Sequence, residues 1–492
     1  MSRRAIAAGL ALTLALLVAC GADDRVLPDD DPDVPDTTRG DDRPGSGSTG
    51  SGVGAPGLGD DYFPALGNGG YDVTQYTLEI SYDPASAELD GTATIDAEAT
   101  QELTRFNLDL TNLEVADVSI DGEPATFEHE GQELTVTPDS AIDDGAGFTM
   151  AVDYGGIPDP IDSTALGQVG WNTTADGTVY VLSEPEGAST WFPANDHPLD
   201  KAPFTFRVTV PDGLEVAANG LLQSQTPTGD GRTTWEYEAT DPMAPYLATV
   251  EIGQFVFEQT EGPGGLPIRN AFAESLAADA TFDFGRTGEM IELFATLFGP
   301  YPFEAYGAVV VDDFIGVALE TQTMSLFGAE IVDGRRGQEE IVAHELAHQW
   351  FGDSVSLARW QDIWLNEGFA TYAQWIWGEH AGGRSVDSAA RQSHSSMRTN
   401  PDLGLPPPGD PGPPQLFAAS VYIRGALTLH ALRRTVGDDA FFETLRTYTA
   451  EFADGNATTD DFVGAAERES GMELTELFDR WLYEEDVPEL PD

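Results

Sequence analysis

His344-Glu345-Leu346-Ala347-His348, followed by Trp364-Leu365-Asn366-Glu367-Gly368-Phe369-Ala370, is the pair of segments around which the chain organises itself. Histidines at i and i+4 lie on one helix face a turn apart, so both imidazoles can reach a single ion. Glu345 sits between them and can reach a water on that ion. The apolar spacing predicts helices over 338–351 and 363–378, with Gly352 where a helix C-cap would fall. A catalytic zinc usually takes three protein ligands and leaves its fourth position to water. Glu367 comes nineteen residues after His348, at the opening of the second helix. Two such helices packed antiparallel can bring its carboxylate to the ion, which completes a His2Glu set for one zinc per chain. Two unrelated core histidines are the weaker reading of that spacing, whereas Glu367 standing alone would be read as a surface carboxylate.

Downstream, helical patterns recur over 421–435, 438–452 and 473–484, and the proline-rich stretch 395–416 reads as loop. Upstream, Gly299-Pro300-Tyr301-Pro302 is a loop signal, and the apolar run Ala308 to Val311 fits a buried strand. Before about residue 260 the texture changes to period two. Leu78, Ile80 and Tyr82 alternate with polar residues, as do Phe204, Phe206, Val208 and Val210. Turn signals at Asp121-Gly122, Pro211-Asp212-Gly213 and Gly229-Asp230-Gly231 punctuate these runs, which argues an antiparallel β domain. The expected fold is therefore α+β and multidomain, with a β domain over 61–260 and a mainly helical catalytic domain over 261–492. No repeat of fixed period is present.

The front of the chain reads as an address and a tether. Arg3 and Arg4 precede an apolar run, Ala5 to Ala19, that is short for a bilayer span and suits a signal peptide over 1–20. Its end, Leu17-Val18-Ala19-Cys20, resembles the lipobox of bacterial lipoproteins, in which cleavage exposes the cysteine for lipidation. Cys20 is the only cysteine, so the chain has no internal disulfide to form. The expectation is an exported protein held by lipid on the outer face of a bacterial cell membrane, or a secreted one if the cysteine is incidental. Residues 21–60 hold ten aspartates, five prolines, nine glycines and no aromatic, a composition that cannot bury enough apolar surface to order itself. As a flexible tether they would reach roughly 35 Å.

The charge balance excludes one class of partner. Lys+Arg number 23 against 85 Asp+Glu, a net −62, and Lys201 is the only lysine. Such a chain has little from which to build a phosphate-neutralising face, so no nucleic acid is expected. The acid excess fits a solvated surface or adaptation to a saline exterior.

His344-Glu345-x-x-His348 with Asn366-Glu367 resembles the aminopeptidase N family of zinc peptidases, gluzincins that also include leukotriene hydrolase, and the likeness extends over residues 62–492. It implies a saddle-shaped β domain ahead of a thermolysin-like catalytic domain. It also implies roles for further residues. The family's Gly-x-Met-Glu-Asn strand corresponds to Val317-Ala318-Leu319-Glu320-Thr321, where only the glutamate is kept, which makes Glu320 the expected anchor of a substrate ammonium. A second anchor in the family lies nine residues before the proline of a Phe-Pro pair. Counting back from Pro193 gives Glu184, with Trp191-Phe192-Pro193-Ala194-Asn195-Asp196-His197-Pro198 and Lys201-Ala202 also similar; His197 is then structural. The family's Tyr-x-Lys-Gly corresponds to Tyr422-Ile423-Arg424-Gly425, so Tyr422 is the implied donor to the oxyanion. Family members usually continue into a long helical domain. Here little follows Trp481, and the expectation is a short form with a more open cleft.

The implied chemistry is zinc-assisted hydrolysis of peptides with a free N-terminus, with Glu345 as general base. An endopeptidase with the same zinc chemistry is the nearest alternative, and the two anchoring carboxylates argue against it. A non-catalytic surface-binding lipoprotein is the remoter one, since every zinc and acid-base position is intact.

Overall fold

The computed structural model describes residues 52–491. The segment read as a signal peptide, Cys20, and the stretch expected to be a tether as far as residue 51 lie outside the described residues. The end of the expected tether is not linker. Asp60 is buried and accepts hydrogen bonds from the backbone N–H of Trp360 (2.7 Å) and Tyr62 (2.8 Å), and it faces His197 Nε2 at 3.3 Å. Composition argues for disorder over the whole tract, but one aspartate with a histidine and two amides to satisfy it is enough to fix its last residues. His197 has the structural role expected of it.

The β domain is built on an eight-stranded sheet. Its spatial order is Leu221–Pro227, Arg232–Met243, Ala202–Pro211, Tyr71–Asp83, Glu88–Ala99, Gly147–Gly156, Glu114–Ile120 and Glu123–Pro124. Leu78, Ile80 and Tyr82 point to its core face, as do Phe204, Phe206, Val208 and Val210, all buried as their alternation predicts. Pairing is antiparallel with one correction to the sequence reading. Tyr71–Asp83 and Ala202–Pro211 run parallel, Leu78 opposite Phe206. The two strands are far apart in sequence, and no local turn signal reveals that a strand returns beside the first in the same direction. Asp121-Gly122 makes the hairpin between the last two strands, both residues at positive φ (53° and 80°), which a two-residue hairpin turn requires. A five-stranded sheet of Glu215–Ala218, Val250–Gly253, Val179–Leu182, Gly167–Thr173 and Ile161–Ser163 adds a second layer.

Another sheet straddles the expected boundary at 261. Phe255–Glu261 pairs antiparallel with Pro267–Ala273, which runs parallel to Tyr306–Val310 in a sheet continued by Ser325–Phe327 and closed at its edge by Ala318–Leu319. Tyr306–Val310 is buried throughout, in keeping with the apolar run. Helices follow over Glu339–His348, Trp364–His380, Ala419–Val436, Asp438–Glu451 and Thr475–Leu482, close to the five expected spans. The first of these ends earlier than expected, with Gln349 at its cap, and Gly352 (φ 132°) lies in the turn beyond. Helices over Thr287–Phe298, Val386–Thr399 and Thr459–Ser470 were not anticipated, and the second runs into the stretch read as loop. Thr287–Phe298 buries Met290, Ile291, Phe294 and Phe298, a helical spacing present in the sequence. Thr459–Ser470 is opened by a reciprocal cap between Thr458 and Asp461.

Candidate metal centre and its surroundings

The helix Glu339–His348 and the helix Trp364–His380 pack against each other, and almost every residue of the motif is buried between them. His344 Nε2 lies 3.2 Å from Glu367 Oε2, and His348 Nε2 lies 3.6 Å from the same oxygen. The two imidazoles stand 4.9 Å apart at 71° to one another, so their ring nitrogens converge. One ligand atom from each of His344, His348 and Glu367 falls within 4.8 Å of the others. His348 Nδ1 is engaged by the carbonyl of Phe351 at 3.0 Å, which puts the proton on Nδ1 and leaves Nε2 free as a donor to metal. Two nitrogens and a carboxylate oxygen, all buried, with His348 oriented by the Phe351 carbonyl, fit a tetrahedral zinc with one open position.

The electrostatics point the same way. Burial disfavours the charge on Glu367, yet His348 and His344 outweigh it and hold the carboxyl down at about 2. Burial pushes Glu345 well above the usual carboxylate range, with Glu320 and Glu367 adding to the rise and His348 opposing it. Glu184 is likewise raised by burial and then by Glu320 and Glu367. Buried carboxylates that raise one another mark a place where positive charge is wanted, either a metal or a cationic ligand.

Glu184 and Glu320 come to the same place from different domains. Oxygens of Glu184, Glu320 and Glu367 lie within 4.8 Å of one another, and so do ligand atoms of Glu320, Glu345 and His348. Glu184 and Glu320 are each nearly inaccessible, and one oxygen of each has no hydrogen-bond partner. Glu320 follows the edge strand Ala318–Leu319, as the resemblance implied, and it is held by a residue the sequence reading missed. Gln349 Nε2 donates to the Glu320 carbonyl at 2.9 Å, while Gln349 Oε1 accepts from Thr323 N at 2.8 Å. Gln349 directly follows His348, so the residue after the motif ties the edge strand to the histidine helix. Its amide, next to a ligand yet inside a helical pattern, was the available signal. From the β domain, Asn219 Nδ2 donates to the Gln322 carbonyl at 2.6 Å and holds the far side of the same segment.

Tyr422 reaches the cluster from the helix Ala419–Val436. Its ring stacks on His344 with centroids 6.0 Å apart and planes 21° off parallel. Burial, then Glu367 and the other carboxylates, keeps its hydroxyl far above the ordinary phenol range, so it stays a proton donor. Two glycines make the approach possible. A Cβ on Gly425 would sit 2.9 Å from Gly368 Cα, and one on Gly368 would sit 2.9 Å from the Gly425 carbonyl carbon. Helix backbones therefore touch at the crossing that carries Glu367 on one side and Tyr422 on the other. Arg424, where the family has lysine, is buried and donates to the carbonyls of Trp481 (2.7 Å), Gly404 (3.0 Å) and Arg480 (3.2 Å), pinning the C-terminal segment to this helix.

Comparison with known proteins agrees with this construction. The model of the peptidase M1 N-terminal domain matches residues 72–247, and that of the peptidase family M1 domain matches residues 282–481. Aminopeptidase N of Streptomyces lividans is 30% identical over 350 residues, covering 66% of this chain and 38% of that protein. Aminopeptidase M1 of Arabidopsis thaliana is 24% identical over 451 residues, 84% of this chain and 50% of that protein. The chain thus spans half or less of these curated relatives. A crystal structure of an M1 zinc metallopeptidase from Deinococcus radiodurans superimposes with a TM-score of 0.81 at 33% identity, covering 89% of this chain and 99% of that one. A mutant of that protein has been solved bound to a Tyr-ser-ala substrate. With a β domain and a helical peptidase domain matched in the same order, and the metal-binding geometry beneath them, the chain belongs to peptidase family M1, the M1 zinc metallopeptidases.

Proposed function

We propose that this chain is a zinc aminopeptidase that removes residues singly from the free N-terminus of peptides. The observation that carries the reading is the second carboxylate cluster. Glu184 and Glu320 converge on Glu367 with an unpartnered oxygen each, beside the metal-binding set. An ammonium brings one positive charge and three N–H donors, which is what those oxygens lack. An internal peptide offers neither. The names of the relatives and the tripeptide substrate of the structural neighbour support the same reading.

His344, His348 and Glu367 are the residues that would hold the zinc, which when bound supplies Lewis acidity toward the scissile carbonyl and a water. Glu345 accepts the proton of the attacking water on its carboxylate and passes it to the leaving amine nitrogen. The Tyr422 hydroxyl donates to the oxygen of the former carbonyl as negative charge develops there. Glu320 and Glu184 fix the ammonium, which sets the first peptide bond, and no later one, against Glu345.

The test is a pair of peptides, one free and one N-acetylated, assayed with the parent and with Glu320→Ala. The parent is expected to cleave only the free peptide. Loss of one charged hydrogen bond costs roughly ten- to a hundredfold in kcat/KM, carried on KM, with zinc content unchanged. Equal cleavage of both peptides by the parent would move the reading to an endopeptidase.

We further propose that the protein is exported and lipid-anchored through Cys20, on the strength of the Leu17-Val18-Ala19-Cys20 segment and the apolar run before it. Among the described residues no helix is long and apolar enough to cross a membrane. Cys20→Ser is expected to move the protein from the membrane fraction to the soluble one at unchanged specific activity. A parent protein already in the soluble fraction would end that proposal.

A further inference from the structure

The one lysine of the chain stands at the wall of this site. All other cationic side chains with a permanent charge are arginines. Lys201 comes from the β domain, immediately before the strand Ala202–Pro211, and its Nζ donates to the carbonyls of Asp353 (2.7 Å) and Ser354 (2.9 Å). Those carbonyls belong to the turn that follows the histidine helix. The turn is itself tied back to that helix, because Asp353 N donates to the His348 carbonyl at 3.0 Å and Ser354 N to the Gln349 carbonyl at 3.2 Å. The ammonium is therefore one residue's hydrogen bonds away from a metal-binding histidine and from the glutamine that holds Glu320.

A buried carboxyl stands on the same turn. Asp353 is fully buried, and neither of its carboxylate oxygens has a partner. Burial, then Glu320, raises its pKa well above the usual carboxylate range, and His348 and Lys201 oppose that rise. A compact ammonium can point two donors at adjacent carbonyls. A planar guanidinium is larger and its donors diverge in a fixed fork. That is a chemical reason for lysine at this one position in a chain that uses arginine elsewhere.

We propose that Lys201 is a positioning residue of the amine pocket. It fixes the Asp353-Ser354 turn, and with it the placement of Gln349 and Glu320 against the metal-binding residues. The inference rests on the reading of Glu320 and Glu184 as ammonium anchors. A lysine that merely stapled two domains together would be blind to what occupies the pocket.

That difference can be measured on the unaltered protein. Full-length protein labelled with 13Cε-lysine gives one lysine signal, because the sequence contains one lysine. L-leucine hydroxamate presents a metal-binding hydroxamate and a free ammonium. N-acetyl-L-leucine hydroxamate presents only the former. Calorimetry on the zinc-loaded protein is expected to show tighter binding of the free-amine compound, and the lysine signal is expected to shift with it and much less with the acetylated one. If calorimetry shows preference for the free amine but the signal shifts equally, or not at all, Lys201 does not sense the pocket and the inference is wrong. If the two compounds bind equally, the ammonium-anchor reading fails and this inference falls with it. Lys201→Met adds a kinetic arm. KM for a free peptide is expected to rise about tenfold or more at unchanged zinc content, while kcat moves by less than about threefold. A KM within about twofold of the parent would also overturn the proposal.

Discussion

Glu345 is held between two histidines that have no freedom to replace it. Its carboxyl is buried, and Glu320 and Glu367 press its proton affinity upward, so it is suited to take a proton and release it again. Glu345→Gln keeps the shape and removes the basicity. The expected outcome is unchanged zinc content by elemental analysis with kcat lowered by at least about a hundredfold, the low end of what general-base catalysis contributes. Activity within about tenfold of the parent would take Glu345 out of that role. At this scale the sequence was most legible where residues cluster along the chain. His344, Glu345, His348 and Glu367 could be placed because a helix converts spacing into direction. Glu320 and Glu184 needed the family resemblance, since nothing local says that strand and loop from two domains meet. Gln349, Asp353 and the two carbonyls taken by Lys201 were invisible for the same reason: their partners lie at long range or on the main chain, where sequence carries no label.

Among the elements, the crossing of Trp364–His380 with Ala419–Val436 decides where the tyrosine stands. The helices touch through Gly368 and Gly425, where an added Cβ meets backbone at 2.9 Å and no flexible side chain can yield. Gly425→Ala must therefore separate the two helices or strain them, at a cost of about 1–3 kcal/mol. The consequence expected is a lower Tm together with a kcat loss larger than any change in zinc content, because His344 and His348 ride on a separate helix, Glu339–His348, and only Glu367 sits at this crossing. Wild-type kcat with a lowered Tm would show that Tyr422 tolerates the shift. These helices were legible from their periodicity, and Thr459–Ser470 would have been from its capping pair. Val386–Thr399 was not, since it buries only Val386, Ala389, Ala390, His394 and Met397 and its sequence is otherwise polar. The parallel return of Ala202–Pro211 beside Tyr71–Asp83 was hidden because topology over more than a hundred residues leaves no local trace.

For the whole molecule, two opposed effects of acid set the response to pH and salt. Asp60 joins the start of the described chain to both domains through His197 and Trp360. Burial works against its charge, but His197 and the Trp360 amide prevail and lower its pKa below the unfolded value of 3.8. A carboxyl depressed in the folded state contributes stability that is present above the unfolded pKa and lost as pH falls through the folded one. Asp60→Asn is thus expected to lower Tm at pH 7 and to narrow its gap from the parent below about pH 4. A gap that stays constant down to pH 3 would mean that the charge of Asp60 is not what the fold uses.

The second effect is mutual repulsion. A net charge of −62 on 492 residues leaves most carboxylates without a partner, since there are only 23 lysines and arginines to face 85 acids. Folding brings these charges closer than they are in the unfolded chain, and the repulsion reduces stability in proportion to how far each charge is felt. That distance is about 30 Å at 0.01 M ionic strength and about 3 Å at 1 M. Salt therefore weakens repulsion across the surface while leaving the buried clusters around Glu320 and Glu367 little changed. Exposed ion pairs such as Arg391 with Asp387 are also weakened, but each contributes at most about 1 kcal/mol. The expectation is a Tm that rises by several degrees between about 0.01 and 1 M NaCl and levels off once the screening length falls below the spacing of surface carboxylates. Potassium chloride should act as sodium chloride does, because screening depends on ionic strength and not on the ion. A Tm that is flat or falls with salt would show that the acid excess is spaced widely enough to cost nothing, and the case for a protein built to work in brine would lose its physical basis.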